Sequence, residues 1–254
     1  MKKLVLLAVV MVLGLGFMVG GAHATHWGGG GYHWARPSNP FTLKLGDNVS
    51  GVWDTFLDTA SVDWSASSVL ETVVVPGGTT PRKCRPTAGR VEICNATYGK
   101  TQWLGIAQVW VSGSHITQGT VRVNDTYFNT ATYNTPAWRH LVMCQEVGHT
   151  LGLPHQDEDF YNPDLGTCMD YTSNPVNNQH PNEHDYDTLE LIYAHLDTTT
   201  TVGQTTSPAV ADVVLDAPHQ WGNLVKSSRD GQIEIYELEV SHGHKVVTFV
   251  IWAR

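Results

Sequence analysis

The sequence predicts an α+β domain, and three observations carry that prediction. Strand-like runs cluster between residues 68 and 128, segments with helical spacing flank them on both sides, and a pair of strand-like runs lies near the end of the chain. In order, FTLKLGD (41–47) reads as a strand. VSGVWDTFLDTASVDWSAS has helical spacing through Val52, Phe56, Leu57 and Ala60, with Trp53 and Trp64 available for packing. SVLETVVV, RVEICNA, WLGIAQVWV and GTVRVNDTYF follow as strands separated by Gly, Pro and Ser turns. PAWRHLVMCQEVGHTLG has a proline near its start and a glycine near its end, the asymmetry expected of a helix. PNEHDYDTLELIYAHLD predicts another, with Tyr186, Leu189, Ile192, Tyr193 and Leu196 in one apolar stripe. Last, GQIEIYELEV and KVVTFVIWA flank a Ser-His-Gly-His turn and predict a β-hairpin. The tail is short for an independent core, so the hairpin is expected to pack on the main domain.

The first 24 residues read as a secretory signal peptide: Lys2 and Lys3, an apolar run, then Ala22-His23-Ala24 as the cleavage site. The apolar run is shorter than the ~20 residues a spanning helix needs, so no membrane association is expected after cleavage. The expected location is secreted, extracellular or periplasmic. Residues 25–40, rich in Gly, His and Trp, read as a flexible leader, although the proximity of His23, His26 and His33 also fits a metal-scavenging tail. Residues 41–197 form the main domain, 198–212 a Thr-rich linker, and 213–254 the hairpin appendage. Of the chain's 15 basic side chains, removal of Lys2 and Lys3 leaves 13 against 24 acidic ones, a net charge of −11. Such a surface repels phosphate backbones, which excludes nucleic acid as a partner class.

Four cysteines in an exported chain point to two disulfides, with three pairings open. The preferred pairs are Cys84 with Cys94, closing a short loop, and Cys144 with Cys168. PRKCRP (81–86) is therefore read as part of that loop.

The chemistry concentrates in CQEVGHTLGLPH (144–155). Positions 145 and 149 lie one helical turn apart and project from one face, so Gln145 and His149 can hold a single ion without bending the backbone. Glu146 stands beside them as a general base, Gly152 turns the chain, and His155 returns as the third ligand. Zinc in hydrolases takes three protein ligands at ~2.0–2.2 Å and keeps one position open.

This stretch, followed by GTCMDY (166–171), resembles the metzincin clan of zinc endopeptidases, nearest to the matrixins. Glu146, His149, Gly152 and His155 match the clan's extended zinc motif, and Met169 matches the methionine of its Met-turn. The resemblance covers roughly residues 41–197. It implies a twisted, mostly parallel sheet over two long helices, with one antiparallel edge strand above the cleft, for which GTVRVNDTYF is the candidate. It also implies a zinc-dependent endopeptidase whose peptide or protein substrate lies extended along that edge strand. Tyr171 follows Met169 as in some metzincins, which offers a phenolic donor to the oxyanion, or packing beside the Met-turn. Cys144–Cys168 would tie the zinc helix to its floor.

One position departs from the clan. Gln145 stands where the motif has its first histidine, and a neutral amide oxygen is a poorer zinc ligand than imidazole. His140 faces another side of the helix; His184 and the acids at 157–159 are the remaining candidates for a replacement ligand. The rival reading is a catalytically inactive, secreted peptide- or protein-binding module. Asp157, Glu158, Asp159, Asn162 and Asp164 gather oxygen donors suited to calcium, or to plain solvation. Asn48, Asn95 and Asn124 lie in glycosylation sequons, and His115, His180 and His219 read as surface or turn residues.

Overall fold

The structure, a computed structural model, describes residues 31–205, 213 and 215–253. The expected signal peptide, the first residues of the leader and residues 206–212 of the linker lie outside the described residues. Strands β1 (His33–Trp34) and β2 (Phe41–Asn48) precede helix α1 (Trp53–Trp64). Then come β3 (Leu70–Pro76), β4 (Val91–Ala96), β5 (Trp103–Ser112), β6 (His115–Asn124), the short α2 (Asp125–Phe128), α3 (Pro136–Thr150) and α4 (Glu183–Ile192). Strands β7 (Asn223–Ser227), β8 (Ile233–Ser241) and β9 (His244–Trp252) complete the described elements.

All the strands join one mixed sheet in the order β3-β2-β4-β6-β5-β9-β8-β7, and β1 pairs with the first residues of β6. The β1–β6, β2–β3, β2–β4 and β4–β6 pairs are parallel. The β5–β6, β5–β9, β8–β9 and β7–β8 pairs are antiparallel. Among the described residues the sheet is therefore half antiparallel rather than mostly parallel. The tail hairpin, extended by β7, adds its strands to the main sheet edge to edge. GTVRVNDTYF is not an edge either: its strand portion, β6, lies between β4 and β5. The strand antiparallel to it is β5, whose other side is taken by β9.

Strand β5 is buried along nearly its whole length because both of its faces are covered. Ala107, Val109 and Val111 face the principal core with α1 and α3. Ile106 and Trp110 face a second cluster built with Leu215, Trp221, Val246 and Val250. Helix α1 buries Trp53, Leu57, Ala60 and Trp64, whereas Val52 stays exposed at its N-cap. Helix α3 begins as its sequence signals, with Pro136 in the first turn and the Thr135 hydroxyl accepting from the Trp138 N–H.

Two segments differ from expectation. From residue 32 the leader is packed, with Tyr32 to Arg36 all buried; the Trp34 indole N–H donates to the Thr150 carbonyl at 2.8 Å, at the end of α3. Helix α4 stops at Ile192, several residues before the predicted end. The buried Arg36 guanidinium and the Asn39 amide capture the Tyr193 carbonyl, and Arg36 also reaches that of His195, so the last turn is capped by side chains and the chain bends away.

Candidate metal centre and cleft

Helix α3 lies against β5 so closely that a Cβ at Gly105 would come within 2.6 Å of Val142 and 2.8 Å of Glu146 Oε1. After the helix the chain turns at Gly152, with φ of +100° and the Tyr32 carbonyl 2.7 Å from where a Cβ would stand. Both features demand glycine. The turn brings His155 back to His149: their Nε2 atoms are 3.0 Å apart. Ligand atoms at ~2.0–2.1 Å on a tetrahedral ion are ~3.3 Å apart, so the two imidazoles are spaced as a chelating pair.

The rings are fixed from behind. His149 Nδ1 faces the Leu153 carbonyl at 2.9 Å, and His155 Nδ1 faces the Tyr171 hydroxyl at 3.1 Å. His149 Nδ1–H donating to Leu153 leaves the Nε2 lone pair turned toward His155. Burial pushes the His149 imidazole down to about 4 and lowers His155 well below its ordinary value, with neighbouring His149 and Lys226 acting in the same direction on His155. Both are therefore neutral, the form that binds metals. Gln145 donates from Nε2 to the Cys168 carbonyl at 2.9 Å, so of its amide only Oε1 carries lone pairs that could serve a metal.

Glu146 is wholly buried. Burial holds its carboxyl well above the usual range against an opposing backbone hydrogen bond from Ala107, and its Oε2 is without a hydrogen-bond partner. The floor is closed by the Cys144–Cys168 disulfide and by Met169, whose Sδ lies 2.7 Å from where a Cβ on Gly148 would stand. The second pair, Cys84–Cys94, is also formed. Tyr171 touches His155 and Phe160, so its hydroxyl is engaged with an imidazole.

Among the described residues, none of the expected substitute ligands joins the pair. His140 packs edge-on against Phe56, and His184 is exposed on α4. Asp157 and Asp159 accept backbone N–H groups two residues ahead, and Glu158 pairs with Lys226 of β7 at 2.5 Å. Asp164 accepts from Thr172 and Asn177. These acids do not converge on a cation position among the described residues. The sequon asparagines Asn48, Asn95 and Asn124 are all buried.

Sequence reasoning did not anticipate the roof. Phe249 of β9 stacks on the His149 ring, with centroids 4.2 Å apart and planes 13° from parallel. It lies opposite Ala107 in the β5–β9 register. The hairpin thus covers the cleft and occupies the free side of β5. KVVTFVIWA predicted a strand but carried no sign of its partner.

No protein-family model and no curated protein matches the chain. Among solved structures it is similar to a crystal structure of myroilysin, at 14% identity, 63% of this chain and 86% of that one covered, and a TM-score of 0.35. Another myroilysin structure gives 14% identity, coverage of 63% and 82%, and a TM-score of 0.37. High choriolytic enzyme 1, a hatching enzyme zinc-protease from the medaka Oryzias latipes, gives 11% identity, coverage of 64% and 94%, and a TM-score of 0.35. Likeness at this level establishes neither a common fold nor a common activity, so function rests on the chain's own residues. Among the described residues, no helix is long and apolar enough to cross a membrane.

Proposed function

We propose that this chain is a secreted, metal-dependent endopeptidase of the metzincin kind, held closed by its own C-terminal strands. The facing Nε2 atoms of His149 and His155 carry the reading, with the unpartnered carboxylate oxygen of Glu146 one helical turn away. The donor set fits zinc: two neutral imidazoles, plus an amide oxygen from the residue one turn before His149. When both Nε2 lone pairs turn to a cation, His155 carries its proton on Nδ1 and donates it to the Tyr171 oxygen. Tyr171 is then a positioning residue for His155.

A zinc ion held by Gln145, His149 and His155 would polarise the scissile carbonyl and acidify a water. The remaining chemistry belongs to the chain. Glu146 accepts a proton from the attacking water, the C–N bond breaks, and the same carboxyl returns the proton to the departing amine. An extended peptide would pair antiparallel with β5, in the position now held by β9. Substrate entry therefore requires β9 to leave, and its departure also returns water to Glu146.

The test is turnover of an unfolded protein substrate by the zinc-supplied chain, with Glu146→Ala as control, before and after β9 is loosened by Phe249→Ala. Cleavage that appears or rises on loosening and vanishes in the control supports the reading. If the loosened chain binds zinc but cleaves no faster than its Glu146→Ala counterpart, the cleft is a binding site and the peptidase reading falls.

A further inference from the structure

A second group of imidazoles lies away from the cleft. His33 on β1 and His115 on β6 are partners in the parallel register, with ring centroids 5.0 Å apart. The chain leaving α4 brings His195 and Asp197 to the same point. His33 Nε2 lies 3.0 Å from His195 Nε2 and 3.5 Å from Asp197 Oδ1. Asp197 Oδ1 is 3.2 Å from His115 Nε2 and 3.7 Å from His195 Nε2. These separations bracket the ~3.3 Å between ligand atoms on a tetrahedral zinc. His33, His115 and Asp197 form a group whose ligand atoms all lie within 4.8 Å of one another.

The supports match a metal site better than a set of ion pairs. His33 Nδ1 faces the Gly31 carbonyl at 3.1 Å, so its Nε2 lone pair points into the group. Asp197 is oriented from behind: its Oδ2 takes the Arg36 guanidinium at 2.8 Å and the Arg36 backbone N–H at 3.1 Å. That leaves Oδ1 for the imidazoles. Arg36 already balances the Asp197 charge, and among the described residues the ion pairs of His33, His115 and His195 run to Asp197 alone. Two Nε2 atoms facing at 3.0 Å share one proton or one cation. The side chains of His33 and Asp197 are 6% and 11% exposed, against 32% for His115 and 52% for His195, so the group has a dry base and an open side for entry.

We propose that His33, His115, His195 and Asp197 form a second, structural zinc site. His195, 3.0 Å from His33 and 3.7 Å from Asp197, would close on the ion as the fourth donor, and four protein donors would leave no open position, the mark of a structural rather than a catalytic site. Its ligands come from β1, the first residue of β6 and the segment after α4. The ion would therefore clamp the segment preceding β2 and the exit of α4 to the sheet, and binding would stabilise the native state.

The experiment counts zinc bound per chain after removal of free metal, by elemental mass spectrometry, and measures the melting temperature with and without chelator. The variants are the full chain with His115→Ala and His195→Ala together, and the full chain with His149→Ala and His155→Ala together. The His149/His155 variant is expected to keep one zinc and a melting temperature that chelator lowers. The His115/His195 variant, whose changes fall on the exposed ligands, is expected to hold one zinc fewer than the parent and lose its share of that chelator effect. If the His149/His155 variant fails to fold, the count on the His115/His195 variant against the parent decides. An equal count in those two overturns the proposal. Failure of the cleft to bind zinc would lower the parent's count without changing the difference between them, so the two readings fail separately.

Discussion

The chain holds two histidine groups built in opposite ways. In the cleft, Gln145, His149 and His155 come from one helix and the turn that ends it, so a short segment assembles the whole proposed ligand set. At the rim, His33, His115, His195 and Asp197 come from three distant segments that meet only when the sheet is complete. The cleft pair lies beneath Phe249, whereas His195 stands half in solvent. The difference separates two uses of a metal. A local ligand set keeps its geometry whatever the distant chain does, as catalysis requires. A dispersed set is itself a cross-link, and its value to the fold grows with the sequence it spans.

The largest effect that would sharpen this contrast is expected from Glu146→Gln. Loss of the general base should lower turnover of the opened chain by about 10²–10⁴-fold. Zinc content should be unchanged at both sites, because Glu146 is a ligand of neither. A parallel loss of zinc would mean that Glu146 organises the cleft rather than acting on substrate. Phe249→Ala comes next. Removing a buried ring costs about 3–5 kcal/mol in denaturant unfolding, and it takes away the ring stacked on His149. Chelator should then strip zinc faster from the cleft while the rim rate stays put. Equal acceleration at both sites would show general loosening instead of a local roof.

What the sequence made legible follows the same division. Helix α3, its Pro136 start, the Gly152 turn and the return of His155 were readable because each signal lies within a few residues of the next. The choice of Cys144 with Cys168, 24 residues apart, rests on context among three open pairings rather than on a local signal. The placement of β9 was not readable: KVVTFVIWA predicts a strand, but alternation carries no record of which edge receives it. The same blindness made β6 an expected edge strand, although β4, β5 and β1 all pair with it. The leader misled through composition, since its glycines read as flexibility while Trp34 was fitting against α3. Of the rim group, only the spacing of His195 and Asp197 lay within reach of local inspection. Nothing local joins them to His33 and His115.

Gln145→His tests how far the cleft departs from the pattern it resembles. An imidazole in place of the amide oxygen should tighten zinc at the cleft by about tenfold or more, where each tenfold is about 1.4 kcal/mol. The change also removes the hydrogen bond to the Cys168 carbonyl, which subtracts about 0.5–1.5 kcal/mol of stability. Zinc affinity by competition with a chromophoric chelator should rise as the unfolding midpoint falls slightly. Unchanged affinity would show that position 145 does not ligate and that the two histidines hold the ion without it.

Tyr171→Phe has the smallest expected effect and makes the finest distinction. The hydroxyl lies 3.1 Å from His155 Nδ1, so its removal frees that imidazole to rotate while the apolar packing against Phe160 stays. A group that orients a ligand is felt through the ligand, and cleft zinc affinity should fall about tenfold, the low end for partners of this kind. At saturating zinc, kcat should then be close to the parent's. A donor to the developing oxyanion would behave in the opposite sense: affinity would hold, and kcat would drop by about 10²–10³-fold. The rim site provides the internal control, because none of its ligands contacts Tyr171 and its affinity should not move. A fall in kcat at full cleft occupancy would therefore return Tyr171 to the catalytic machinery and leave the Leu153 carbonyl, behind His149, as the remaining fixed support of the histidine pair.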